Sequence, residues 1–324
     1  MTPLPDLLHF GPRLDVAVRS SAGTGPGARS ENQDNFVLVD ATGLAHFLQD
    51  EQLQQRRLAD WPAGHMRFAI LDGMGGHGQG REAAEAVATG LLAMSACTTQ
   101  SDLNRQLEAL HAKLQRQFGS GTDGRRPGTT LTLLELRPDK PALLYHVGDS
   151  RLYELKSDRV LPLTIDHVPA TAYAMEGVID EEQWWTQVHG EYRSQISQAF
   201  ILGNAFINPA ELSDPLYALS PLNLPHFLLH LPDRRALQLD PNAVYVLATD
   251  GLWACDAPGE WVARWPGLLT GCDDARDMCD TLFAEMAERP PPGLHPDNLS
   301  AIVLRIRPAP MPDPTTPEKR VSCP

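Results

Sequence analysis

The feature that most constrains this chain is an apolar run that stops at an acidic residue inside a glycine-rich stretch. Residues 68–80 read FAILDGMGGHGQG, and the first four predict a buried strand that ends at Asp72 and Gly73. The later glycines allow a sharp turn and a close approach to a ligand, and strong helix formers follow from residue 81. A carboxylate in this position suits a hard cation, although an Asp-Gly pair is also a common turn signal.

Three more acidic residues lie where a predicted strand meets a turn. These junctions are residues 142–147 before Asp149, residues 244–248 before Asp250, and Asp297 before residues 299–306. Four carboxylates brought together would repel one another unless divalent cations neutralised them. Oxygen ligands without a His or Cys cluster favour Mg²⁺ or Mn²⁺ over zinc. Two such ions about 3.5–4 Å apart can share a hydroxide and hold a phosphoryl group for in-line attack.

Two further candidates lie between residues 20 and 34. Residues 20–29 read SSAGTGPGAR, so Arg29 ends a flexible glycine-rich loop, and Asp34 comes just before a predicted strand at residues 36–39. The planar guanidinium of an arginine on such a loop can bind two oxygens of a phosphate group. Both residues could instead be ordinary surface charges, and Arg29 could pair with a nearby acid such as Glu31.

The amino-acid composition and net charge argue against some classes of binding partner. The chain has 324 residues, enough for one large domain or two small ones with a substantial core. Its 42% apolar and 21% charged residues are typical of soluble globular proteins. The formal charge of −14 argues against a nucleic-acid partner or an anionic membrane, since both favour a basic face. The same acidity fits a protein that gathers carboxylates around cations.

Cysteine usage and apolar runs indicate the compartment. The five cysteines are scattered without a Cys-x-x-Cys pair, so neither a disulfide framework nor a zinc site is predicted. The first residues lack the basic segment and long apolar run of a signal peptide. No stretch approaches the roughly 18 apolar residues that a membrane helix needs. We therefore expect a cytoplasmic protein without a membrane partner.

Apolar periodicity predicts most of the remaining elements. Residues 102–118 carry apolar side chains at three- and four-residue spacing, which is typical of a helix that faces the core. Residues 43–66 read as an insertion with a loosely amphipathic helix, and residues 204–225, rich in Pro and Asn, as a second surface insertion. Residues 226–231 (HFLLHL) read as a strand. The Pro-rich residues 308–324 are expected to form a disordered tail.

Eight short motifs occur in a fixed order. They are Arg29-x-x-Asn32-Gln33-Asp34, Asp72-Gly73-Met74-Gly75-Gly76-His77, Gly128-Thr129-Thr130, Gly148-Asp149-Ser150-Arg151, Thr164-x-Asp166-His167, Glu176-Gly177-Val178-Ile179, Thr249-Asp250-Gly251-Leu252 and Asp297-Asn298. One such motif would be weak, but eight in order are highly specific. The set resembles the metal-dependent Ser/Thr protein phosphatases (the PPM family, type 2C) in their bacterial form.

The resemblance implies an α+β fold, a four-layer α-β-β-α sandwich of two antiparallel sheets flanked by helix pairs. The phosphatase domain is expected at residues 14–307, with the metal site in a cleft at one end. Asp72 is expected to bridge two Mn²⁺ or Mg²⁺ ions, and the Gly73 carbonyl to bind one of them. Asp250 and Asp297 would complete the pair. Asp149, together with Asp250, would form a weaker third site.

The resemblance also assigns roles outside the metal ligands. Arg29 is expected to bind the substrate phosphate, and Asp34 to orient water beside the ions, so the expected catalytic residues are Arg29, Asp34 and Asp72. Asp166 and His167 would lead into residues 168–200, called the flap here, which borders the cleft in this family and affects substrate handling.

Three positions depart from the family pattern. Gln33 stands where many members have Glu, which removes a charge beside the ligands and predicts weaker metal binding. Met74 stands where eukaryotic members carry a His that is thought to protonate the leaving group, so that proton is expected to come from water, and His77 is expected to stabilise its loop. Gln198 replaces an Arg, which puts the local packing of the flap in question.

The sequence therefore predicts a phosphatase that hydrolyses phosphoserine and phosphothreonine in proteins with two or three Mn²⁺ or Mg²⁺ ions. It is expected to oppose a Ser/Thr kinase and to act as a monomer. One alternative is a catalytically silent relative that binds phosphoproteins as a scaffold. Another is a hydrolase of small phosphate esters, because the same site would serve both kinds of substrate.

Overall fold

The computed structural model describes residues 8–23, 28–75, 79–118, 126–209 and 215–307. The strands are β1 (Leu14–Ser21), β2 (Asn35–Val39), β3 (Leu44–Gln49), β4 (Gln52–Arg57), β5 (Met66–Leu71), β6 (Gly73–Met74), β7 (Gly128–Thr129), β8 (Leu131–Leu136), β9 (Ala142–Val147), β10 (Arg151–Lys156), β11 (Arg159–Pro162), β12 (Gln198–Ala199), β13 (Gly203–Asn204), β14 (Arg234–Leu237), β15 (Val244–Ala248) and β16 (Leu299–Ile306). The helices are α1 (Gln79–Ala93), α2 (Gln100–Phe118), α3 (Pro169–Met175), α4 (Glu181–Trp185), α5 (Pro258–Ala263), α6 (Trp265–Leu268) and α7 (Ala275–Glu288).

Two large antiparallel sheets organise the chain. One has five strands in the order β1-β16-β15-β10-β11, and the other has seven in the order β14-β9-β8-β5-β2-β3-β4. The two-stranded β6–β7 and β12–β13 pairs are small additions. Strands distant in sequence lie side by side: β1 pairs with β16 over its whole length, from Leu14 opposite Ile306 to Ser21 opposite Leu299.

The alternation of side chains along the strands creates the layers. In β5, Phe68 and Ile70 point into the core between the two sheets, whereas Ala69 and Leu71 pack against helices on the outer face. The side chains of β15 alternate in the same way between the core that the two sheets share and the helices on the outer face. Because each sheet is apolar on both faces, it must be covered on both sides.

Helices supply the outer layers. α1 and α2 cover the seven-stranded sheet, and α2 buries its leucine stripe, Leu103, Leu107, Leu110 and Leu114. Residues of α5, α6 and α7 pack on the five-stranded sheet. The predicted four-layer sandwich is confirmed, with a helix pair on one side and three helices on the other. No helix in the described ranges combines the length and apolar character needed to cross a membrane.

The helix predicted within residues 43–66 is wrong. The segment instead forms the β3–β4 hairpin, which extends the seven-stranded sheet through the pairing of β3 with β2. Asp50 and Glu51 form its two-residue connection with φ of 49° and 59°. Positive φ at both positions matches a turn whose twist suits a hairpin. Neither residue is a glycine, so the usual turn signal was missing from the sequence.

The strand predicted at residues 226–231 is also wrong. Residues His226–Leu228 form a single 3₁₀ turn that begins after Pro225. Leu228 and Leu231 are both fully buried in the core of the flap region. Leu231 follows the turn and its N–H donates to the Leu228 carbonyl at 2.9 Å, so the chain keeps turning where the apolar run predicted a strand.

The flap packs around its own small apolar core. Trp184 and Val188 lie in this core with Ile165, and Leu219 of the predicted second insertion also joins it. α4 begins after its N-cap Asp180, whose carboxylate accepts from the Gln183 N–H. Residues 204–209 and 215–225 can be traced, but residues 210–214 and the predicted tail at 308–324 lie outside the described residues.

Candidate active site

All the predicted site residues except Asp34 line one cleft of about 560 Å³. Its lining includes Arg29, Asp72, Gly73, Asp149, Asp250 and Asp297. Asp34 does not line the cleft but lies buried behind it, close enough to Asp250 and Asp297 for their charges to act on it. Residues separated by more than 260 positions in sequence are therefore brought to one end of the sandwich.

Asp72 is held by the backbone at the end of β5. Its N–H donates to the Thr130 hydroxyl at 2.9 Å, and its carbonyl accepts from the Thr130 N–H at 2.9 Å. The Thr130 hydroxyl also lies 2.6 Å from that of Ser150. Two of the motifs singled out in the sequence thus support the backbone beneath the Asp72 carboxylate.

Close backbone packing explains two of the motif glycines. A Cβ on Gly73 would lie 2.3 Å from the Gln33 carbonyl oxygen, and one on Gly251 would lie 1.9 Å from the Asn298 carbonyl oxygen. Any other residue would force these segments apart. The contact of Gly251 with Asn298 therefore brings the turn after Asp250 against the segment that carries Asp297.

Hydrogen bonds tie Asp297 and Arg29 to the same edge. The Asn298 side chain accepts from the Gln33 N–H at 2.8 Å and donates to the Glu31 carbonyl at 2.9 Å, which fixes the segment between Arg29 and β2. The Arg29 Nη2 donates to the Asp297 Oδ2 at 3.0 Å. The loop arginine thus reaches the acidic cleft.

Asp34 is buried on the inner side of this cluster. Its Oδ2 accepts from the Thr249 hydroxyl at 2.9 Å. Burial raises the Asp34 pKa to about 8. The hydroxyls of Ser300 and Thr249 oppose this rise, and the negative charges of Asp250 and Asp297 add to it. A carboxyl group in this state can hold a proton near neutral pH.

The cleft carboxylates oppose one another electrostatically. Burial and then the charge of Asp250 raise the pKa of Asp72 well above its usual range. The same two causes, in the same order, raise the pKa of Asp149. Burial and then the charge of Asp297 raise the pKa of Asp250. Negative charge is therefore concentrated here beyond what the surrounding side chains compensate.

The donor set fits hard divalent cations. Every candidate ligand supplies oxygen, from four carboxylates and from the Gly73 carbonyl, and Mg²⁺ or Mn²⁺ prefers such ligands. Among the described residues, no three His, Cys, Asp or Glu side chains are already gathered into one ligand shell. The carboxylates instead line a cleft with room for water, which suits ions that take only one or two carboxylates each and keep several waters.

The Gly-Asp-Ser-Arg motif contributes a structural pair beside the cleft. The buried Arg151 makes a two-oxygen contact with Asp166, with Nη2 at 2.7 Å, and its guanidinium stacks 3.5 Å from the Trp253 ring centroid. Its Nη2 also donates to the Val188 carbonyl at 2.6 Å. This arginine anchors the flap next to Asp149.

Gln198 has a structural role in the flap. Its side-chain nitrogen lies 2.9 Å from His167 Nδ1 and donates to the Tyr217 carbonyl at 3.0 Å. The Gly148 N–H reaches the same His167 nitrogen at 3.3 Å. Gln198 therefore links the flap to the turn before Asp149 through His167. Met74 lines the cleft, while His77 lies outside the described residues.

Sequence reasoning missed one residue at the site. The Tyr192 hydroxyl donates to the Asp250 Oδ2 at 2.9 Å, and Tyr192 lines the cleft. Burial and then the charge of Asp250 raise the pKa of this phenol, so it stays protonated and acts as the donor. No local pattern marks Tyr192, because its position depends on how the flap packs.

Comparison with solved structures identifies the architecture. A Ser/Thr phosphatase from S. agalactiae matches with a TM-score of 0.62 at 20% identity, covering 91% of this chain and 100% of that one. The fold is that of the bacterial Ser/Thr phosphatases. The catalytic domain of PstP, solved in complex with two manganese ions, has the same phosphatase fold, with a TM-score of 0.55 at 22% identity and coverage of 91% and 99%.

Sequence comparison supports the resemblance that the motifs predicted. No family model matches the chain. The Mycobacterium tuberculosis Ser/Thr protein phosphatase PstP is 30% identical over 125 residues, which are 37% of this chain and 24% of that protein. The Streptococcus pneumoniae protein phosphatase PhpP is 31% identical over 129 residues, 37% of this chain and 51% of that protein. The match spans about half of PhpP and a quarter of PstP, and the resemblance to bacterial PPM phosphatases is confirmed.

Proposed function

We propose that this chain hydrolyses phosphoserine and phosphothreonine monoesters in proteins and requires Mn²⁺ or Mg²⁺. The observation that carries the proposal is the meeting of Asp72, Asp250, Asp297 and Arg29 in one cleft. Anionic groups in excess would bind cations, and the arginine beside them would attract a phosphate dianion. The phosphatase fold and the names of the relatives support the same activity.

The resemblance to the metal-dependent phosphatases suggests a role for each acidic residue. Asp72, the Gly73 carbonyl, Asp250 and Asp297 would hold two divalent ions, and Asp149 with Asp250 would hold a third. When bound, the ions would supply an activated water and neutralise charge on the phosphoryl group.

Three residues would act on the substrate and on water. Arg29 would leave Asp297 and bind the phosphate oxygens through its planar fork. The buried Asp34 carboxyl, fixed by the Thr249 hydroxyl, would orient the attacking water. Met74 has no group that titrates, so the leaving alcohol would take its proton from water.

The partners follow from the same chemistry. The substrates would be proteins phosphorylated by a Ser/Thr kinase, and the strongly negative chain would act in the cytoplasm as a monomer, without a nucleic acid or a membrane. The PstP structure with two manganese ions supports manganese as the metal to test first.

Turnover of two substrates tests this function. With Mn²⁺, the chain should hydrolyse a phosphothreonine peptide more efficiently than p-nitrophenyl phosphate, and EDTA should abolish both activities. Binding of the phosphopeptide without turnover would favour the scaffold alternative. A clear preference for small esters over several phosphopeptides would favour the small-ester hydrolase.

A further inference from the structure

A hydrogen bond links the flap to a proposed metal ligand. Tyr192, near the end of the flap, donates its phenolic proton to the Asp250 Oδ2 at 2.9 Å, although the two residues are 58 positions apart. We propose that Tyr192 is a positioning residue: it orients the Asp250 carboxylate for divalent cations and holds the flap against the metal site. This inference rests on the proposed function, because it gives Tyr192 a role at that same site.

The aromatic ring is fixed by residues that flank two candidate ligands. The Tyr192 ring meets the Trp253 ring edge-on at 5.9 Å, and it lies 5.6 Å from the His295 ring. Trp253 follows Asp250 by three positions, and His295 precedes Asp297 by two. The phenol is therefore held between the two segments that carry these carboxylates, which directs its hydroxyl towards Asp250.

The segment that carries Tyr192 is a wall between two cavities. Its even-numbered residues Tyr192, Ser194 and Ile196 line the acidic cleft. Its odd-numbered residues Glu191, Arg193 and Gln195 line a neighbouring cavity of about 170 Å³, which also touches Asp149. Such alternation is typical of an extended backbone with opposite faces. The hydrogen bond to Asp250 attaches this wall to the floor of the cleft.

The hydrogen bond from Tyr192 to Asp250 should strengthen metal binding. A phenol that donates to one carboxylate oxygen restricts rotation of the carboxylate and so fixes the direction in which it faces the ions. Removing a hydrogen-bond partner of a ligating side chain typically weakens metal binding by about 10- to 100-fold. If Tyr192 served only to pack against its neighbours, metal binding would depend on its ring and not on its hydroxyl.

Replacement of the hydroxyl alone separates these roles. Tyr192→Phe keeps the ring that packs on Trp253 and His295, and Mn²⁺ affinity is measured by isothermal titration calorimetry on the full chain. We expect about tenfold weaker Mn²⁺ binding, with turnover of a phosphothreonine peptide restored at saturating Mn²⁺. Tyr173→Phe is the matched control, since it removes a phenol from an exposed position of the flap and should leave the affinity unchanged.

Two results for Tyr192→Phe would overturn the inference. Unchanged or tighter Mn²⁺ binding by Tyr192→Phe would overturn it, as would turnover that stays low at saturating Mn²⁺. Failure of the unmodified chain to bind Mn²⁺ or to hydrolyse any phosphate ester would count against the proposed function instead. The two failures are thus distinguished by the behaviour of the unmodified chain.

Discussion

The guanidinium of Arg29 lies 3.0 Å from the carboxylate of Asp297, so the proposed phosphate-binding residue is held directly over a proposed metal ligand. The Arg29 side chain is 50% exposed, and such a pair contributes only about 0–1 kcal/mol. A phosphate dianion could therefore displace Asp297 at small cost. The sequence raised Glu31 as an alternative partner, but the Glu31 carboxylate instead accepts from Gln33 at 2.6 Å.

Arg29→Ala should mainly raise KM, with a smaller loss in kcat. The proposed ions, and not Arg29, would activate the water, so the arginine contributes chiefly to substrate binding. A charge-assisted contact of this kind contributes roughly 1.5–3 kcal/mol, which predicts a ten- to a hundredfold loss in kcat/KM. Steady-state kinetics on a phosphothreonine peptide at saturating Mn²⁺ measure it.

A second arginine provides the control for that variant. Arg57→Ala removes a guanidinium that contacts the Thr42 carbonyl at the far end of β4, and it should leave kcat/KM unchanged. An unchanged kcat/KM for Arg29→Ala would remove Arg29 from the substrate site and leave the acidic residues alone there.

Asp72→Asn and Asp250→Asn should each abolish turnover without unfolding the protein. An amide is a poorer ligand than a carboxylate and leaves the ion charge under-compensated. Burial is the main cause of the raised pKa of both residues, and the negative charges of the neighbouring carboxylates add to it. Since an amide carries no charge, the metal-free variants should melt at or above the temperature of the unmodified chain.

Kinetics at saturating Mn²⁺ and thermal melts in EDTA check both parts of this prediction. Asp158→Asn, in the exposed turn between β10 and β11, is the control and should keep full activity. If either cleft variant retained most of its turnover, the two-metal assignment would be wrong.

The local sequence pattern was sufficient to predict the acidic residues of the site. Asp72, Asp149 and Asp250 each follow a strand, and strand ends are set by residues near in sequence. An antiparallel sandwich then brings such ends to one edge. The Tyr192 contact had no comparable signal, because the path of the flap depends on packing around Trp184 and Leu219 from different segments.

The prediction for residues 43–66, which form the β3–β4 hairpin, failed for a different physical reason. Phe47 and Leu48 with Leu53 fit a loose helical spacing as well as a strand pair, so the apolar pattern was ambiguous. The turn at Asp50 and Glu51 decides between them, and its left-handed backbone is rare outside glycine and asparagine. Its stability comes from pairing with β2, which is a tertiary contact.

Gly251→Ala should destabilise the fold strongly. The added Cβ would lie 1.9 Å from the Asn298 carbonyl oxygen, and neither backbone can move without shifting Asp250 or Asp297. Overpacking typically costs 1–3 kcal/mol, and we expect a loss of about 3 kcal/mol in the free energy of unfolding. Urea denaturation measures it.

The matched glycine variant is Gly267→Ala in α6. Its Cβ would meet no atom within 4 Å, so stability should stay constant or rise slightly. Equal stability of the two variants would mean that the turn after Asp250 is free to move away from Asn298.

His189→Phe should make the protein less sensitive to acid. His189 lies in the π-helical turn Thr186–Gly190, its ring is 4.5 Å from that of Trp185, and its Nε2 is buried without a hydrogen-bond partner among the described residues. Burial, and then the positive charge of Arg151, lower the His189 pKa well below its usual value. The folded state therefore keeps this ring neutral.

The sign of the pH effect follows from that shift. Since the folded pKa is depressed, the unfolded chain binds the proton first, and stability is lost as pH falls below about 6.5. Between pH 7.5 and 5, His189→Phe should lose about 1–2 kcal/mol less unfolding free energy than the unmodified chain. Urea denaturation in EDTA at both pH values measures this, and the exposed His230→Phe controls for loss of an imidazole elsewhere. If His189→Phe and the unmodified chain lost the same unfolding free energy, His189 would take up its proton as readily in the folded flap as in the unfolded chain.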